Sequence, residues 1–469
     1  MNKVGADIEP NTDKSYFVKN ENLEYLSKVK NKKIISLAYD INETWKNLSK
    51  KRVENVISSL KKLKYPFFIP GGRFREFYYW DSYWILRGLL ISKMDKAAKS
   101  LIKNFLELLE KNNFIPNGTR GYYSRRTQPP FFCLMLKALY KYSPKFHNLV
   151  LTKGLKAAEK EFKFFEKKRT IDVNVSGIKY KMFMYRALRN IPRTESLKED
   201  FENWFNSSKK AQKDIYIKFK TAAESGIDFT SRSFKVPSDR KTIDILNRIP
   251  VDLNALMYNN ARFISKMFKK LGDFEKSKLY KEKAKSIKKN INNFFWVPEK
   301  CMWCDLIINT MGHVNNVYFS NFYPMIFGIK PPKKTYEEIL HFHKRFFFKN
   351  KGGIPAGEKI EGVNEQWNHP NVWAPYNQMM IEFLLKIGQH KKALLLARKF
   401  FRSVLVAFKR DKVFYEKYNS EIVGKAGDGG EYKSQSGFGW TNGTVIYLID
   451  QFGDKLIKSK RLKGKSTTK

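Results

Sequence analysis

Apolar residues recur three and four positions apart along most of this 469-residue chain, and that period belongs to helices rather than strands. The segments that carry it are Ser82 to Met94, Asp95 to Lys111, Phe131 to Tyr142, Asn148 to Phe165, Val251 to Leu271, Phe274 to Phe294, Tyr336 to Phe348, Trp373 to Ile387, Lys391 to Phe408 and Thr444 to Phe452. They come in antiparallel-looking pairs separated by Gly, Asn or Lys turns, as at Gly272-Asp273. Strand-like alternation is confined to short stretches such as Ile171 to Val175 and Ile178 to Met184. Periodicity alone therefore predicts a large all-α fold. The pairs share no fixed short period, which argues against a solenoid of stacked repeats.

The connections alternate between short and long. The long ones, 115–130, 190–206, 222–237, 352–373 and 416–443, hold the unusual residues. A toroid of helical hairpins gives this pattern, with its functional loops gathered at one end, and loops on a rigid scaffold are the usual place for binding chemistry. No linker divides the chain into two domains. Residues 455–469 read as a Lys-rich tail.

Composition narrows the function classes. Lys+Arg 90 against Asp+Glu 45 gives a formal net charge of +45. The lysines are spread over the whole chain, and no helix-turn-helix, zinc-finger or RNA-recognition motif accompanies them. The reading is a solvated basic surface that attracts polyanions nonspecifically, with no specific nucleic-acid partner. The three cysteines, Cys133, Cys301 and Cys304, cannot form a dense disulfide framework. Cys301-Met-Trp-Cys304 has neither a second pair for zinc nor a thioredoxin-like setting, so it reads as structural. No apolar leader or bilayer-length apolar run is evident, which predicts a cytoplasmic protein with no membrane partner.

One segment stands apart chemically. Pro70 to Trp84, Pro-Gly-Gly-Arg-Phe-Arg-Glu-Phe-Tyr-Tyr-Trp-Asp-Ser-Tyr-Trp, combines a Gly pair, arginines, carboxylates and many aromatic rings. Aromatic faces suit the C–H faces of a sugar, and Arg73 and Asp81 can hydrogen-bond its hydroxyls. An ordinary aromatic core helix is the plain alternative. Cleaving an acetal needs one carboxylic acid to protonate the leaving oxygen and one carboxylate to activate water or attack carbon, with no metal or organic cofactor. The carboxyls in aromatic or Gly-rich loops are Asp81, Glu224, Asp228, Glu365, Glu416, Asp428 and Glu431. The sequence pattern by itself does not choose a pair among them.

Pro70 to Trp84 resembles the first signature of the trehalases, glycoside hydrolase family 37. Four later segments resemble that family in the same order: Pro116 to Phe132, Glu224 to Arg232, Gln366 to Pro375, and Tyr415 to Tyr418 with Gly429 to Tyr432 and Gly437 to Gly443. The resemblance runs from about Pro70 to Gly443 and points to the cytoplasmic bacterial type. It implies an (α/α) barrel of six helical hairpins and hydrolysis of α,α-trehalose to glucose with inversion. It also implies Asp228 as general acid and Glu416 as general base, about 6.5–9.5 Å apart to admit water. The sugar-binding positions that match are Arg73, Phe74, Trp80, Asp81, Asn117, Arg126, Gln128, Arg193, Glu195, Gly226 and Glu431. No cofactor and no metal are implied, and the expected partner is a small sugar bound by a monomer.

The sequence departs from the family's pattern at Asn368, where Asp is usual, at Val372 in place of Gly, and at Ile227 in place of Trp. Residues 1–45 lack the usual upstream motif. These changes predict an altered loop backbone and looser packing at one subsite. An inverting α-glucosidase for another disaccharide, a sugar-binding protein that has lost catalysis, and a polyanion binder are the alternative readings.

Overall fold

The computed structural model describes residues 5–457. The predicted tail lies outside these from residue 458 onward. The architecture follows from two kinds of helix. Outer helices are amphipathic: Phe274–Phe294 buries Tyr280, Ala284, Ile287, Asn290 and Ile291 and turns its lysines to solvent. Inner helices bury most of their circumference, as in Val251–Lys270 and Gly439–Phe452. A helix buried all round must be surrounded by other elements.

The inner helices form a closed ring. Asp81–Ile91 packs on Phe132–Tyr142, which packs on Val251–Lys270. The ring continues through the short turns Phe319–Phe322 and Tyr323–Ile326 to Ala374–Lys386, then Gly439–Phe452, and back to Asp81–Ile91. The helices Lys32–Leu48, Asp95–Asn112, Leu155–Lys168, Phe274–Phe294, Tyr336–Phe342 and His390–Asp411 lie outside. Each outer helix precedes an inner element in the chain, so the molecule is an (α/α) barrel of six hairpins. The seam between the last and first inner elements is very close. A Cβ at Gly443 would sit 2.1 Å from the Trp84 carbonyl oxygen, and one at Gly88 would sit 2.8 Å from the Gly443 Cα. Only glycine lets two backbones approach this far.

One apolar core runs through the ring. A smaller cluster of Ile215, Phe219, Ala222, Phe229, Phe234, Ile243 and Ile245 supports the loop that carries Asp228. Strands are short and peripheral. Thr170–Val175 and Ile178–Phe183 form an antiparallel hairpin, and Ile8–Pro10 pairs with Ser49–Arg52, which pairs with Phe67–Phe68.

Several sequence expectations need correction. The last helix begins at Gly439 rather than Thr444. Lys32–Leu48 is a helix that the periodicity reading passed over. The connection 190–206 contains the helix Leu197–Phe205, and 222–237 begins inside the helix Ile215–Glu224. The helix predicted over 148–165 is widened by a π-turn at Val150–Gly154. Val372 lies in the extended strand Asn371–Trp373, paired with Tyr418, where a glycine is not needed. No described helix is long and apolar enough to cross a membrane.

Candidate active site

The inner helices begin at one end of the barrel, and the long loops meet there. Asp81 is the first residue of its helix, Gln128 lies just before Phe132–Tyr142, Trp373 precedes Ala374–Lys386, and Trp440 opens the last helix. Between them lies a cavity of about 950 Å³, ample for a disaccharide.

Each predicted site residue lines this cavity: Arg73, Phe74, Trp80 and Asp81 from the first segment, Asn117, Arg126 and Gln128 from the second, then Arg193, Glu195, Gly226, Asp228, Glu416 and Glu431. Of the seven shortlisted carboxyls, Glu224, Glu365 and Asp428 do not line it. Glu224 is fully buried and holds Arg169 with both oxygens, at 2.6 and 2.8 Å. Glu365 is clamped by Arg240 at 2.9 and 2.7 Å. Asp428 is exposed and accepts from the Gly429 N–H at 2.9 Å.

The remaining carboxyls have distinct environments. Asp228 follows the helix Ile215–Glu224, and its side chain keeps 30% of its surface open to the cavity. Burial raises its pKa to about 7 and Glu431 adds to the rise, while Arg193 and Arg126 oppose it. Arg193 approaches Asp228 at 3.7 Å. Asp81 is buried, and burial raises its pKa to about 8, with Glu416 and Asp228 adding to it despite its place at a helix N-terminus. Glu416 accepts from the Tyr432 hydroxyl at 2.9 Å and the Gln435 backbone N–H at 3.2 Å. Burial raises its pKa as well, against the pull of Lys417, these hydrogen bonds and Arg73. Glu431 is occupied on both oxygens by Arg193, at 2.7 and 3.2 Å, and also accepts from Arg240 at 3.3 Å.

The arginines are built in rather than superficial. Arg193 is buried, pairs with Asp200 at 2.6 Å, and lies over the Phe229 ring. Arg126 donates to Asn117 at 2.7 Å and to Glu195. Burial favours a neutral Glu195, but Arg126 and Arg193 outweigh it and hold that carboxyl below its ordinary range. Gln128 accepts from the Trp80 backbone N–H at 3.0 Å. Arg73 is exposed and lies over the Tyr432 ring, 5.0 Å from its centre.

Aromatic rings complete the walls. Trp80 meets Trp440 and Trp367, and Phe74 meets Tyr432 and Phe438 edge-on. Gln366, Trp367, Tyr432, Phe438 and Trp440 also line the cavity, although sequence reasoning gave them no role. Their presence inside the quoted segments was the available signal. Arg240 was missed altogether, being one arginine in a basic chain.

The departures fall beside the acid loop. Asn368 is buried, accepts from the Ser231 N–H at 2.9 Å and donates to the Ser231 hydroxyl at 2.6 Å. It thus pins the loop that carries Asp228. Ile227 borders a small void of about 10 Å³ shared with Tyr185 and Arg248, room for one water at most.

The sequence model of the family described as Trehalase matches residues 4–453. Trehalase of the honeybee Apis mellifera is 35% identical over 461 residues, covering 93% of this chain and 72% of that protein. Human trehalase is 30% identical, covering 98% and 79%. Among solved structures, neutral trehalase from Saccharomyces cerevisiae superposes with a TM-score of 0.68 at 23% identity, over 84% of this chain and 74% of that one. A mannosylglycerate hydrolase from Thermus thermophilus gives 0.57 at 14% identity, over 88% and 100%. A family match along nearly the whole chain, together with relatives above 30% identity and the barrel already described, establishes that the chain belongs to the trehalase family.

Proposed function

We propose that this protein hydrolyses α,α-trehalose with water to two glucose molecules, inverting the attacked carbon, with Asp228 as general acid and Glu416 as general base. The observation that carries the roles is the contrast between two carboxyls in one cavity. Asp228 is largely protonated up to about pH 7 and opens toward the substrate space. Glu416 is fixed by Tyr432 and Gln435 and backed by Lys417. Such a separation of environments suits one group to give a proton and the other to take one.

In the reaction, Asp228 donates its proton to the glycosidic oxygen as the carbon–oxygen bond breaks. Glu416 takes a proton from water, whose oxygen bonds to the anomeric carbon from the opposite face. Asp81, neutral below about pH 8, donates a hydrogen bond to a sugar hydroxyl. Arg193 and Arg126 with Glu195 bind the other hydroxyls, and Glu431 aligns Arg193. Trehalose is symmetric, and the cavity that holds Asp228 is lined by enough polar side chains to bind hydroxyls of both glucose units.

The same reading takes residues 1–454 as one catalytic domain working as a monomer in the cytoplasm. Three buried, unbridged cysteines support a reducing compartment.

The test is glucose release from trehalose by the wild type, Asp228→Asn and Glu416→Gln. Each variant should lose roughly 10²–10⁴-fold in turnover while still binding trehalose. Near-normal turnover by either variant removes that residue from its role. Equal or better hydrolysis of maltose or kojibiose would move the substrate assignment to another α-glucoside.

A further inference from the structure

Lys417 follows the proposed base in the chain but is not among the residues that line the cavity. It belongs to the strand Lys417–Asn419, whose partner strand places Trp373 opposite it. Its side chain is fully buried, and its Nζ lies 5.4 Å from the centres of both the Trp373 and the Tyr432 rings. The Nζ donates to Gln366 Oε1 at 2.9 Å and reaches the Gly429 carbonyl at 3.4 Å. Gln366 in turn donates from Nε2 to the backbone carbonyl of Asp228. Three separate loops therefore meet on one amide.

The chemistry of that amide is directional. An ammonium can only donate, so it fixes the oxygen of Gln366 on its own side. The NH₂ group must then face the Asp228 carbonyl. Packing reinforces the orientation: a Cβ at Gly430 would lie 2.9 Å from the Gln366 Cβ, so only glycine fits there. Burying an ammonium is costly unless it is well partnered, and here two acceptors and two ring faces surround it. A site so constructed exceeds what packing alone requires.

On the acid and base assignments proposed above, we infer that Lys417 and Gln366 are positioning residues. Lys417 orients Gln366, which holds the backbone of the acid Asp228 in register with the base Glu416. Lys417 also supplies the positive charge that most favours the ionised form of Glu416. The groups that face Glu416 are Lys417, Arg73, Tyr432 and Asp81, and those that face Lys417 are Glu416 and Asp428. Burial lowers the pKa of Lys417, and the two carboxylates pull it back up. Among the opposing influences on Glu416, Lys417 is the largest.

The experiment measures kcat, KM and the pH–rate profile for the wild type, Lys417→Met and Gln366→Glu. Gln366→Glu keeps the acceptor for Lys417 but turns a second acceptor toward the Asp228 carbonyl. Both variants should lose roughly 10²-fold in kcat, the scale of a 1 Å misplacement. KM should stay within about threefold of wild type, because neither group binds the sugar in the ground state. In Lys417→Met the acidic limb should also move to higher pH, since Glu416 loses the cation that most favours its ionised form. If Lys417→Met fails to fold, as read by its thermal transition, Gln366→Glu carries the test.

Retained kcat in Gln366→Glu overturns the inference. So does a raised KM with kcat unchanged, which would make Gln366 a substrate contact. The parallel assay of wild type and Asp228→Asn separates this result from failure of the acid assignment. If the wild type prefers maltose or kojibiose, the same ratios are read on that sugar. Absence of turnover on all three overturns both proposals.

Discussion

At the scale of single residues, protonation decides activity. In its proposed role Asp228 must hold its proton, and burial lifts its pKa to about 7. Activity should therefore fall as pH rises through about 7. In its proposed role Glu416 must be ionised, and burial lifts its pKa above the ordinary value. Activity should fall again toward acid pH, at a value above that of a free glutamate. A profile of kcat/KM against pH should be bell-shaped with its basic limb near 7, and a basic limb above pH 9 would exclude Asp228 as the acid. Asn368→Asp should retain activity within a few-fold of wild type. An aspartate there can still accept from the Ser231 N–H, and the Ser231 hydroxyl can donate to it while accepting from Tyr318, which lies 2.8 Å away. Inactivation of a folded Asn368→Asp protein would show that a neutral side chain is required at this point. Composition and spacing left seven carboxyls open, and only the family resemblance singled out Asp228 and Glu416 among them. Lys417 was legible in neither. It is one basic residue in a chain with Lys+Arg 90, and only its burial distinguishes it.

At the scale of elements, the helices that periodicity identified are those whose apolar stripe faces the core. Phe274–Phe294 matches its predicted bounds because Asp273 caps it by accepting from the Lys276 N–H at 2.9 Å. Leu197–Phe205 was read as loop for the opposite reason. Its stripe of Leu197, Phe201 and Phe205 faces solvent, and it buries only Asp200, the partner of Arg193. The last helix was started late because Gly439 and Gly443 are poor helix formers. Tertiary contact explains them: Gly439 packs on Ile85 and Gly443 on Trp84. Gly443→Ala should accordingly destabilise the fold by about 3 kcal/mol or more, beyond an ordinary overpacking effect. Denaturant unfolding measures this, and a change below about 0.5 kcal/mol, the range of a neutral surface substitution, would mean that the seam can open without loss.

For the whole molecule, the +45 charge and the neutral substrate pull apart. The lysines crowd outer faces such as Phe274–Phe294, while Arg126 and Arg193 in the cavity are paired with Glu195 and Glu431. The protein should bind heparin or DNA at low salt without sequence preference and release it at moderate salt, since such contacts lose roughly 10³–10⁵ in affinity between 50 and 200 mM. Trehalose turnover should change little over the same range, because no net charge is recognised. A chromatographic salt elution beside an activity assay tests both, and salt-resistant, sequence-selective binding would reveal a second function. The seam at Gly88 and Gly443 has a further consequence for biogenesis. A nascent chain that has already delivered Asp228 and Glu416 still lacks Trp440 and the helix that seats against Trp84. The proposed catalytic groups are synthesised before the wall that completes their chamber, so activity should appear only once the last helix has left the ribosome and docked.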